Sequence, residues 1–137
     1  SEDDPDDPSA RALEFAGWQA SKINERIDEA LDLVPGDIWL TETGASSAST
    51  WPVDVFSPGY RKKHGEMIQA EVLSQVAGKI EATPRCRSMI VHRLFSNDQA
   101  EPPPTAGADS SHFQDGVYDS INGRPKLAVP ALAEAWG

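Results

Sequence analysis

An α/β fold built on a parallel sheet is predicted by three features: long helical patterns carrying one apolar stripe, short apolar runs rich in β-formers, and regular alternation of the two. Helix, strand, helix, strand at these lengths is the rhythm of βαβ units, in which a crossover helix returns the chain to the same end of the sheet.

The first helix is read from Ala16, Ala20, Ile23, Ile27, Ala30, Leu31 and Val34, whose three-four spacing lays a single stripe. Lys22, Glu25, Arg26, Asp28, Glu29 and Asp32 crowd the remaining faces. Asp7 or Ser9 can cap its start, Pro8 suits its first turn, and Pro35-Gly36 stops it. Asp37 to Thr43 follows as a short apolar run between Gly36 and Gly44, which reads as a strand buried on both faces. After a polar loop from Ala45 to Pro58, a second helix is marked by Ile68, Val72, Val76 and Ile80, with Met67, Leu73 and Ala77 beside them, and ends before Pro84. Ser88 to Phe95 is the second expected strand. Ser96 to Ser111, with Pro102, Pro103 and Pro104, reads as a long βα loop, and Val117 to Pro125 as a small turn-bearing segment. A short helix from Lys126 to Trp136 closes the chain, tolerating Pro130 only near its first turn.

The 137 residues, 39% of them hydrophobic, suit a single globular domain spanning 1–137. Twenty-two acidic against twelve basic side chains give a net charge of -10, which argues against nucleic acid and anionic membrane surfaces as partners. No run approaches a membrane span, and Ser1 to Pro5 lacks the regions of a signal peptide, which leaves secretion open. A start without Met inside an acidic loop fits a processed protein or a piece of a longer one. The acidic run Asp3 to Asp7 is expected to be a solvated loop favouring the helix behind it. Cys86 has no partner for a disulfide; Arg85 and Arg87 beside it favour a thiolate, but no base accompanies it and an ordinary packed or surface thiol is expected.

Ile38-Trp39-Leu40-Thr41-Glu42-Thr43-Gly44 resembles the seventh barrel strand of clan A retaining glycoside hydrolases, where a Glu at the strand's C-terminal end is the nucleophile. Val91 to Asp98 resembles strand eight of that clan, and Gly116-Val117-Tyr118-Asp119 with Gly123-Arg124-Pro125-Lys126 resembles the turn before its final helix. A (β/α)8 TIM barrel needs about 250 residues. The resemblance therefore implies a C-terminal fragment: helix six, strand seven, helix seven, strand eight and helix eight. It also implies a β-glycosidase parent acting with retention, and an acid/base Glu on strand four, outside this sequence. The chain alone is then not expected to be a working hydrolase. Its expected partners are a carbohydrate substrate and the missing N-terminal part of the barrel, or further copies of itself.

Retaining glycosidases need two carboxyl groups about 5 to 5.5 Å apart, of which Glu42 supplies the nucleophile. Strand alternation groups Ile38, Leu40 and Glu42 on one face; if Ile38 and Leu40 fill the barrel interior, Glu42 emerges at the mouth. Trp39 then belongs to the core. The plainer reading of Glu42 is a strand-end carboxylate paired with a neighbouring cation. Trp51, in the loop just past Glu42, offers a sugar-stacking face or a packing anchor, and Tyr60 is a further aromatic. At the end of strand eight, His92, Arg93, Asn97 and Asp98 reach the same mouth, where many clan members carry a Trp that this sequence lacks. Arg93 and Asp98 are substrate-binding candidates; a pairing of Arg93 with Glu42 or Asp98 is the alternative. No cofactor is expected, and no metal, since His64, His92 and His112 show no ligand spacing. The runner-up function is a non-catalytic carbohydrate- or partner-binding module; a third reading is an unrelated α/β interaction protein.

Overall fold

The structure, a computed structural model, describes residues 8–45, 58–92, 116–118 and 123–136, with side chains from residue 9 in the first segment and from residue 65 in the second. Helix α1 (Pro8–Leu33), strand β1 (Ile38–Thr43), helix α2 (Pro58–Glu81), strand β2 (Cys86–Val91) and helix α3 (Ala128–Trp136) follow one another, and β1 pairs with β2 in parallel. The predicted α/β class holds.

Both long helices form where the apolar spacing expects them. Ala12, Ala16, Ala20 and Ile27 of α1 are buried against Ile68, Val72, Val76 and Ile80 of α2, and Asp28 meets Lys79 across the pair at 2.6 Å. A second stripe of α2, Leu73 and Ala77, packs on Ala128 and Leu132 of α3 and on Val117. The middle helix therefore carries two buried stripes, one for each neighbour. Around the expected turn-bearing segment, Tyr118 bridges Pro125, the Lys126 amide donates to the Val117 carbonyl at 2.9 Å, and Gly123 takes a φ of +68° that a side chain would strain. In α3, Pro130 falls in the first turn, where its missing N–H has no helical acceptor to lose.

The α1 terminus is closed by a distant side chain. The Arg85 guanidinium donates to the carbonyls of Leu31 (2.9 Å), Val34 and Gly36 (2.7 Å), satisfying groups that a helix end leaves without partners. Gly36, at φ +133°, lets the chain turn from there into β1.

The sheet departs from expectation in three ways. First, β2 (Cys86–Val91) starts at Cys86 rather than at Ser88, because the Ile38 amide donates to the Arg85 carbonyl at 2.8 Å and draws the start of the strand forward; the expected residues 93–95 lie outside the described residues. Second, among the described residues the strands are covered on one face only. Ile38, Leu40 and Met89 pack under the helices, while Trp39 (65% exposed) and Ile90 (53% exposed) point away from them. Trp39 is thus not a core residue, and Ile38 and Leu40 face the helix layer, not a barrel interior. Third, the register slips twice: Arg87 is an extra residue on β2, and β1 spends three steps from Leu40 to Thr43 while β2 spends two from Met89 to Val91. The second slip is a bulge, and the burial along β1 follows it, with Thr41 and Glu42 both exposed and Thr43 buried.

Candidate functional site

In a parallel sheet all strands end at the same side, and side chains at their C-terminal ends converge on one rim. Glu42 ends β1 and His92 follows β2; the His92 amide donates to the Thr43 carbonyl at 2.8 Å, which extends the ladder to that rim. Two side chains of opposite potential charge are brought together there. His92 Nδ1 stands 3.9 Å from Glu42 Oε1, an ion-pair approach beyond hydrogen-bond reach, with Glu42 74% exposed.

The bulge breaks the alternation around Glu42. Regular alternation groups it with Ile38 and Leu40; past the extra residue, Thr41 and Glu42 are both exposed and Thr43 is buried. A shallow groove of about 470 Å³ lies between α1 and β1, with Ile23, Ile27 and Leu40 in its lining and Glu42 and Thr43 at one end. Thr43 Oγ1 is buried there without a hydrogen-bond partner. Gly44 is required by close approach: a Cβ at this position would stand 2.7 Å from the His92 carbonyl oxygen, so only glycine lets the two strand ends meet.

Beneath the rim, Gln69 is fully buried and its Nε2 donates to the Ala45 and Gly116 carbonyls, each at 3.0 Å, which ties the chain leaving β1 to the segment before α3. Glu66, one turn earlier, accepts from Arg124 Nη2 at 2.7 Å and from the Leu127 amide at 3.2 Å. Both were missed by sequence reasoning. The signal was present, since Glu66 and Gln69 flank Ile68 on the buried side of α2, where a polar residue needs a partner.

Of the expected site residues, Glu42 and His92 meet; Trp51, Arg93, Asn97, Asp98 and His112 lie outside the described residues, as do the side chains of Tyr60 and His64. The expectation of a favoured thiolate at Cys86 is overturned: burial pushes its thiol above the ordinary value, and Lys79 and Arg85 only partly offset this. Among the described residues, no group of three or more His, Cys, Asp or Glu side chains is arranged to hold a metal ion, and no helix is long and apolar enough to cross a membrane. No protein-family model, curated protein or solved structure matches the chain.

Proposed function

We propose that this chain is the C-terminal part of a retaining glycoside hydrolase barrel, with Glu42 as the nucleophile and the acid/base supplied from outside these residues. The observation that carries the reading is the exposed carboxylate of Glu42 at the C-terminal end of a parallel strand, beside His92. In a (β/α)8 barrel the helices lie outside, the opposite face of the sheet is the interior, and catalytic groups stand at the C-terminal ends of strands. Helices on one side and a bare apolar side carrying Trp39 and Ile90 are compatible with that arrangement.

A nucleophilic carboxylate attacks the anomeric carbon, and the leaving oxygen departs with a proton from the acid/base. Without that second carboxyl group, the purified chain should give no hydrolysis of a dinitrophenyl β-glycoside above its Glu42→Ala variant, even though this leaving group needs little acid assistance. A longer chain that includes the upstream strands should turn the substrate over, lose several powers of ten in kcat on Glu42→Gln, and carry a 2-fluoroglycoside label on Glu42. A label elsewhere, or near-normal kcat in Glu42→Gln, overturns the proposal.

The second reading, a non-catalytic carbohydrate- or partner-binding module, draws on the 3.9 Å approach of His92, which suits a strand-end ion pair. In that case the longer chain binds sugar without Glu42-dependent turnover.

A further inference from the structure

The outer side of the helix layer carries a groove of about 560 Å³ in which α2 is the floor and α1 and α3 are the walls. Its floor is low because Ala70, Ser74 and Gly78 fall four residues apart on one stripe of α2, and a Cβ at Gly78 would meet nothing within 4 Å. Leu13 of α1 and Leu127 at the start of α3, both more than two-fifths exposed, stand on the walls. Glu71 and Glu134 are the charged residues of the lining, and no Lys, Arg or His contributes to it.

We propose that this groove docks an amphipathic helix of a partner protein, with Lys or Arg flanking its apolar face. A helix suits the floor better than a strand. The backbone of α2 is bonded within itself and offers no edge to extend, whereas small residues at four-residue spacing let a second helix lie close along the first. From Ala70 to Gly78 the floor runs about 12 Å, two turns, which admits apolar anchors at i, i+3 and i+4. Two carboxylates without a basic neighbour in the lining, on a chain of net charge -10, select a basic flank and disfavour a second copy of the same acidic chain. The inference is independent of any role for Glu42.

The test uses the full chain, isotope-labelled, and a synthetic helical peptide with Leu at three-four spacing and Lys on the flanks. Amide shifts should concentrate at Ala70–Gly78 and Leu127–Ala135. Ser74→Trp, which fills the floor, should weaken binding roughly tenfold or more, and Glu71→Lys with Glu134→Lys should transfer the preference to a peptide with Glu in place of Lys. Equal binding of the two peptides by the unmodified chain, or binding unaffected by Ser74→Trp, overturns the proposal. So does a dimer in light scattering that Ser74→Trp abolishes, or a shift of resonances from residues 46–57 or 93–115 caused by that variant alone, since the groove would then already be occupied by a copy or by the chain itself.

Discussion

Cys86 illustrates how little a sequence neighbourhood says about a side chain's electrostatics. Arg85 and Arg87 flank it in the chain, yet Arg85 is spent on the carbonyls that end α1, and Arg87 points toward Asp37 at 3.8 Å. At the sulfur burial is the largest influence, exceeding the opposing pull of Lys79 and Arg85, and it favours the neutral thiol. A thiol whose pKa is raised in the folded state contributes stability that is fully present below its unfolded value of about 9 and lost as pH rises through the folded value. The unfolding midpoint should therefore fall as pH rises above about 9 in the native chain and stay flatter in Cys86→Ala, and at pH 8 Ellman's reagent should react with Cys86 more slowly than in urea. Fast labelling in the folded protein would show an accessible thiolate instead. Glu42 was legible as a residue type at a strand end, but the break in alternation around it was not, because a bulge without Gly or Pro leaves no mark in the sequence. The need of Glu66 and Gln69 for partners was legible from their place beside Ile68, but which partners was not: Arg124, Ala45 and Gly116 lie 24 to 58 residues away, and no local spacing encodes them.

At the scale of elements, the helices were readable and the sheet was not. A stripe such as Ile68, Val72, Val76 and Ile80 repeats often enough to establish both type and phase, and Pro35-Gly36 marks a stop without ambiguity. Two six-residue strands give too few repeats to survive two register slips, so Ile38 and Leu40 were assigned to the wrong side. The closure of α1 by Arg85 is likewise invisible locally. Replacing Arg85 with Ala should leave three terminal carbonyls to water and cost about 1–2 kcal/mol in a urea melt, with faster amide exchange confined to the last turn of α1 and the start of β1. Lys, which lacks the planar fork, should recover less than half of the loss. An Arg85→Ala variant with unchanged exchange at Leu33 and Val34 would mean that Pro35-Gly36 alone ends the helix.

For the whole molecule, the two-stranded sheet matters most. Parallel sheets are ordinarily covered on both faces, and a pair of strands is marginal by itself. Trp39 and Ile90 stand on the bare face, and among the described residues β1 has no partner beyond β2. The isolated chain should bind an apolar dye and associate in light scattering; Trp39→Thr with Ile90→Thr should reduce both while shifting the unfolding free energy by less than about 1 kcal/mol. The same pair of substitutions would cost several times more if those side chains were core, so a large loss of stability, or a dye-silent monomer before mutation, argues for a self-contained domain. The Arg85 clamp has a consequence for the order of events during synthesis. The end of α1 is complete only when a residue 54 positions beyond Leu31 has been added, so a nascent chain stalled before Arg85 holds a frayed helix. Completion of the α1 terminus therefore waits for the second unit, and limited proteolysis of stalled nascent chains should show more cleavage between Leu33 and Gly36 before Arg85 is added than after it.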